Sequence, residues 1–145
     1  MKDFVEIRII EAVRKMLSGR VNELLDELQF DIPLIEFGGY EGGSAVLPEI
    51  TLANCERTEK ERIVRLDAYS LTITFNIPDR QESELYCYAY SAAVGKAVSD
   101  DPTLGGIADR AVVVGKKYAQ PKNKNCADVW ELIINLRVTT EALAI

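Results

Sequence analysis

Histidine is absent from the 145 residues, which removes His-based triads, the commonest general acid or base, and the commonest metal ligand. The three cysteines, Cys55, Cys87 and Cys126, are odd in number and form no CxxC pair. This argues against a disulfide framework and favours reduced, packed thiols. The sequence therefore predicts no catalytic residue, no metal and no cofactor. An unrecognised enzyme would have to use Cys126 or an aspartate cluster near residues 100–109.

Long apolar runs are also missing. The longest uncharged segments, Ala68–Pro78 and Leu85–Gly95, have 11 residues each, too short to cross a membrane. Asp3, Glu6 and Arg8 interrupt any apolar core of a signal peptide. The sequence also has no excess of positive charge. The net charge is −6, so we expect no global attraction to nucleic acid.

The remaining composition is that of an ordinary globular protein, 48% hydrophobic and 28% charged, on a chain whose length predicts one domain over residues 1–145. Apolar residues at three- and four-residue steps predict a helix over 3–28, and a cap at Asp79 followed by Glu82 predicts a second over 79–99. Strand patterns occupy 34–37, 49–56, 63–77, 111–118 and 128–140. The order α-β-β-β-α-β-β predicts an α+β domain, a mostly antiparallel sheet packed with two helices.

The pair of strands from 50 to 77 predicts one long hairpin. Fifteen extended residues reach about 50 Å, so we expect the hairpin to bend or to project as an arm. Its apolar residues are even-numbered at Val64, Leu66 and Ala68 and odd-numbered from Tyr69 onward. This change of phase predicts a bulge or bend near Asp67–Tyr69.

The second predicted helix is apolar on two sides, one carrying Leu85 and Tyr88 and the other carrying Tyr86, Tyr90 and Val94. A helix apolar around most of its circumference is buried on more than one side. One side should meet the sheet, and the other the first helix or a second copy of the chain. The self-association hypothesis names Tyr86, Tyr90 and Val94 on this helix, with Leu66 and Tyr69 on the hairpin. The alternative is a helix wholly internal to one molecule.

A turn should follow this helix, because Pro102 disfavours helix at Asp101 and Gly105-Gly106 permits positive φ. Beyond the next strand, basic residues cluster around Pro121. They are Lys116, Lys117, Lys122 and Lys124. They predict either a solvated hairpin loop or a surface that contacts an acidic partner or DNA phosphates.

Five segments together resemble the tail terminator, or tail completion, proteins of long-tailed phages and prophages. They are LPEITLANCERTEKERIV (47–64), DAYSLTITFNIP (67–78), ELYCYAYSAAVGKAV (84–98), DPTLGGIADRAVVVGKKY (101–118) and WELIINLRVTTE (130–141). The resemblance implies a structural ring, usually of six copies, that caps the tail tube and joins tail to head. Its implied partners are further copies of the chain, the tail-tube protein and a head-side connector, with genome DNA passing through the opening without sequence-specific binding. It implies no active site, no membrane, and a location in the host cytoplasm during assembly and then in the virion.

Three other functions stay open at this stage. A head-side completion or connector protein would also be small and ring-forming. A small nucleic-acid-binding module would use the lysine cluster and would bind DNA with a steep dependence on salt. An enzyme would show metal dependence or thiol reactivity.

Overall fold

The structure is a computed structural model that describes residues 4–28, 32–37, 47–59, 64–78, 82–120 and 129–143. Its helices are α1 (Val5–Met16), α2 (Asn22–Asp26) and α3 (Ser83–Asp100), and its strands are β1 (Glu49–Glu59), β2 (Val64–Pro78), β3 (Arg110–Ala119) and β4 (Val129–Leu143). The strands form one antiparallel sheet in the order β1-β2-β4-β3. The predicted α+β fold class, with helices packed on an antiparallel sheet, is confirmed.

The N-terminal helix continues through Ser18-Gly19 without a break. A π-helical segment, Leu17–Val21, joins α1 to α2, and the residues at both junctions keep right-handed helical angles. Ser18 Oγ donates to the carbonyl of Arg14 at 3.0 Å. A π-helical turn contains one more residue than an α-helical turn, which rotates the residues that follow it about the helix axis. Residues spaced by four therefore stay on the buried side, and all of them are fully buried: Ile9, Val13, Leu17 and Val21.

One face of the sheet carries the core. The helix-facing rows of β2 and β4 are almost completely buried: Tyr69, Leu71, Ile73, Phe75, Ile77, Leu132, Ile134, Leu136 and Val138. Each such side chain contributes about 1.5–3 kcal/mol when removed from water. The opposite face, which we call the open face, is polar, with Thr72, Thr74, Asn135 and Arg137 at neighbouring positions.

The segment 32–37, in which the sequence predicts a strand over 34–37, is held to the helices and contributes only a single bridge residue, Ile35. We call it the strap. The Asn22 amide accepts from the Ile35 N–H at 2.8 Å and donates to the Ile35 carbonyl at 2.7 Å. Ile32 and Ile35 are buried. The Asn22 side chain thus makes the hydrogen bonds to the Ile35 backbone that a neighbouring strand would otherwise make.

The predicted bulge in β2 is absent. β2 pairs with β4 without a register shift from Val64 to Pro78. The irregularities lie instead in the outer strands, between Leu52 and Asn54 in β1 and between Val113 and Gly115 in β3. The change of apolar phase in β2 therefore marks a change in which face of the sheet is apolar, and not a bulge in the strand.

The start of α3 also differs from the prediction. The helix begins at Ser83 with Glu82 as N-cap, and no side chain caps it. The predicted capping box, with Asp79 as N-cap, would put Glu82 at the third helical position, which Glu82 does not occupy. Asp79 itself lies outside the described residues.

The turn after α3 is built on the Asp101 carboxylate, which accepts from the Gly105 N–H at 2.8 Å and from Thr103 Oγ1 at 3.0 Å. Gly105 and Gly106 have φ of 72° and 92°, and Leu104 has a φ of 51°. Leucine rarely adopts this region. Leu104 is buried, so packing of its side chain holds the conformation and anchors the path from α3 into β3.

Candidate assembly surfaces

The side of α3 assigned by the sequence to self-association is buried within the chain. Tyr90 stacks on Phe75 with ring centroids 4.9 Å apart, and its hydroxyl donates to the Pro33 carbonyl of the strap. Burial raises the pKa of this phenol. Val94 is fully buried as well. The prediction that Tyr90 and Val94 contact a second copy is therefore wrong, because the strap and the sheet of the same chain cover them.

Tyr69 is also buried within the chain, so it does not lie on the predicted contact surface. It is 5% exposed and lies on the helix-facing side of β2, opposite Cys55. Burial is the main cause that raises its pKa to about 12. Tyr86 is partly buried, with its hydroxyl donating to Glu82 at 3.2 Å. Tyr86 packs against the core, so its self-association role stays a prediction.

The other side of α3 is the one left exposed. Leu85 is 43% exposed and Tyr88 50%, and Tyr118 of β3 is 43% exposed beside them. The Tyr88 and Tyr118 rings meet edge to face with centroids 5.6 Å apart. The Tyr118 hydroxyl lies 2.7 Å from Ser91 Oγ. We call Leu85, Tyr88 and Tyr118 the apolar strip. Sequence reasoning saw an apolar Leu85–Tyr88 face but could not tell which side of α3 the core would take.

A second surface lies where the sheet extends past Tyr69. We call residues 54–59 of β1, 64–68 of β2 and 139–143 of β4 the arm. In the arm the apolar residues Val64, Leu66 and Ala68 lie on the open face and are partly buried. Leu66, which the sequence named as a contact residue, therefore lies on the face away from the helices. It remains a candidate contact with another molecule.

The helix-facing side of the arm is charged. Asp67 is 6% exposed and accepts from Arg57, with Nε 2.7 Å from Oδ1 and Nη2 3.2 Å from Oδ2. Arg65 Nε lies 3.7 Å from Asp67 Oδ2. A buried carboxylate needs such partners. In the arm, the apolar side chains thus lie on the open face and the charged ones on the helix-facing side. In the body of the sheet, the apolar side chains lie on the helix-facing side instead.

The two described lysines of the basic cluster lie on opposite faces of the sheet. Lys116 pairs with Ile134 and Lys117 with Ile133 on β4, and directly opposite residues share a face. Lys116 therefore lies on the helix side, where Nζ donates to the Ser91 carbonyl at 3.2 Å. Lys117 lies on the open face. Lys122 and Lys124 are outside the described residues, so the structure does not place them.

The described residues hold no group of three or more Cys, Asp or Glu side chains arranged to bind a metal ion. Burial raises the pKa of the Cys87 thiol to about 11 and raises that of Cys55 as well, so both thiols are held in their protonated, less nucleophilic form. Cys126 lies outside the described residues. Among the described helices, none is long and apolar enough to cross a membrane.

Comparison of the chain with protein-family models and with curated proteins gave no match.

Proposed function

We propose that the chain is a structural subunit of a phage or prophage tail, a tail terminator that assembles into a ring on the finished tail tube. The ring ends tube elongation and provides the joint to the head. The proposal rests on the resemblance of five segments between residues 47 and 141 and on the two surfaces described above, which support contacts with further copies.

The observation that carries the proposal is the reversal of the apolar face in the arm. In the body of the sheet, β2 buries its odd-numbered residues under the helices. In the arm it presents Val64, Leu66 and Ala68 on the opposite face, where no described helix lies. An apolar row along a central strand is stabilised when a second layer covers it. A neighbouring copy supplies that layer in this proposal.

The apolar strip supports the same conclusion from the other side of the molecule. Its three side chains are each more than two-fifths exposed and meet at the junction of α3 and β3. The two tyrosine rings contact each other, and Leu85 lies three residues before Tyr88 on the same side of α3. Exposed tyrosines are typical of the centre of a protein interface, where aromatic rings bury large areas at low entropic cost. The arm and the strip are different surfaces, which is the requirement for head-to-tail contacts that close into a ring.

The function on this account depends on shape and contacts. One ring face stops the addition of tube subunits, and the other accepts the head-side connector. Genome DNA passes through the opening, and any contact with it is made to phosphates without sequence-specific binding. Lys117, on the open face, remains the described lysine that can reach DNA or an acidic partner, whereas Lys116 bonds to Ser91.

The test is polymerisation of the tail-tube protein encoded in the same phage genome, with and without this chain, followed by electron microscopy. We expect tubes that stop growing and carry a ring at one end when the chain is present. Tubes of unchanged length with bare ends would overturn the proposal. The same assay with a nuclease-treated sample separates a tube-capping role from binding to residual DNA.

A further inference from the structure

Both outer strands of the sheet have a free edge within the described part of the chain. β1 has only β2 as a neighbour, and β3 has only β4. Such edges present rows of N–H and C=O groups that can pair with another strand. The turn occupies the beginning of the β3 edge, because the Ala111 N–H donates to the Pro102 carbonyl at 2.6 Å. The available edge of β3 therefore begins at Val112.

The two edges carry opposite charge. β3 contains three basic residues, Arg110, Lys116 and Lys117, and no acidic one. β1 contains three glutamates and one arginine, a net charge of −2. Two β1 edges, or two β3 edges, would bring like charges together, which is destabilising across strands. Pairing of β1 with β3 brings opposite charges together, so the charges disfavour symmetric dimers and favour a head-to-tail contact.

The topology orients that contact. Every neighbouring pair in the order β1-β2-β4-β3 is antiparallel, so β1 and β3 run in opposite directions. A second copy with its helices on the same side and its strands in the same orientation then brings its β1 antiparallel to β3. The same placement brings the α1 side of the second copy, where Phe4 is 52% exposed, toward the apolar strip.

We infer that β3 of one copy pairs antiparallel with β1 of the next, so that the sheet continues from copy to copy. The partner is a second copy of this chain. That the repeated contact closes into a ring rests on the proposed function, whereas the edge pairing itself stands on the charges and the topology.

The inference places two charged side chains on the same face at the contact. Glu49 pairs with Thr74 of β2, and Lys117 pairs with Ile133 of β4, which also pairs with Thr74. Both charged side chains therefore lie on the open face at the same level of the sheet, so a sheet that continues without stagger brings Glu49 of one copy opposite Lys117 of the next. Both charged residues are exposed, so each can be reversed without disturbing the core.

The experiment is a charge swap read by light scattering over a range of protein concentrations. Lys117→Glu and Glu49→Lys should each weaken association about tenfold, since like charges then meet across the strands. The double variant should recover most of the wild-type association. Arg137→Glu reverses an exposed charge on the same face in an inner strand, and it should leave association unchanged.

Cysteine trapping gives a second readout. Glu49 and Lys117 are exposed and lie opposite each other at the inferred contact. With Cys55 and Cys126 replaced by serine, the double variant Glu49→Cys and Lys117→Cys should give a ladder of disulfide-linked multimers under mild oxidation. Restoring either Glu49 or Lys117 should abolish the ladder.

The outcomes separate the edge pairing from the proposed function. A wild-type ring with no rescue in the double variant and no ladder overturns the edge pairing and leaves the tail role standing. A rescued, cross-linked assembly that fails to cap tubes supports the edge pairing and contradicts the tail role. A protein that stays monomeric at its highest soluble concentration overturns the edge pairing.

Discussion

The body of the sheet and the arm share three strands, yet they place their apolar residues on opposite faces. In the body, the helix-facing side of β2 carries Ile73 and Phe75, both fully buried. In the arm, the same side carries Arg65 and Asp67, and the apolar residues lie on the open face. The body is covered by its own helices. In the arm, no described residue forms a second layer over the apolar side.

The largest effect on stability should come from the body. Phe75→Ala removes a fully buried ring and its stack with Tyr90, so the free energy of unfolding should fall by about 3–5 kcal/mol. Urea or thermal unfolding measures this loss. The matched variant Tyr90→Phe keeps the stack and removes only the bond to Pro33, which should cost about 1 kcal/mol. A loss below about 1 kcal/mol for Phe75→Ala would contradict the placement of the core.

The charged side of the arm should give an intermediate effect. Asp67→Asn leaves Arg57 and Arg65 beside a neutral, buried group, so unfolding should become easier by about 1–3 kcal/mol. Glu56→Gln, an exposed neutralisation on the same arm, is the control and should change stability by less than about 0.5 kcal/mol. Equal effects from the two variants would show that the Asp67 ion pair is not structural.

The apolar side of the arm should affect assembly and barely affect folding. Leu66→Lys replaces a partly buried leucine opposite Glu141, so the unfolding free energy should change by less than about 1 kcal/mol. Association measured by light scattering should fall steeply, because a charge then lies on the face that another molecule covers. Leu28→Lys, at an exposed leucine outside the arm, is the matched control. Equal association of both variants would contradict the role of the arm.

The smallest effect concerns pH. Hydrogen bonds from Lys96 and Arg20 hold the pKa of the Asp100 carboxyl below its usual value of 3.8. A lowered pKa in the folded state contributes stability that is present above the unfolded pKa and is lost as pH falls through the folded pKa. Asp100→Asn should therefore flatten the stability profile only below about pH 4. Unfolding curves between neutral and acid pH measure this, and an unchanged acid slope would contradict it.

Periodicity predicted the fold class and most element positions, because the helical and alternating patterns are strong in α1, β2 and β4. It could not decide which side of α3 faces the core, since Tyr90 and Tyr88 are equally apolar in sequence. The strap covers the Tyr90 side, and it is held by the Asn22 amide and by the buried side chains of Ile32 and Ile35. The phase change in β2 was visible, but a bulge and a reversal of faces leave the same pattern in one strand.

The candidate surfaces were predictable only in part. Leu66 and Tyr69 are both contact candidates because they lie on the predicted hairpin, but Tyr69 lies one residue past the reversal and is buried under the helices. The Lys116–Lys117 pair looks like one patch in sequence, yet adjacent residues of a strand point to opposite faces. The opposite charges of the two sheet edges become visible only when the strand order is known.

The central claim is that copies of this chain cover the arm of one another. Light scattering of the wild-type protein and Leu66→Lys, measured side by side as concentration rises, tests it most directly. The account predicts that the wild type grows from the 16.2 kDa monomer to a closed assembly of fixed mass, while Leu66→Lys stays monomeric and folded. A wild type that stays monomeric throughout, or a Leu66→Lys variant that reaches the same assembly at the same concentration, would contradict it.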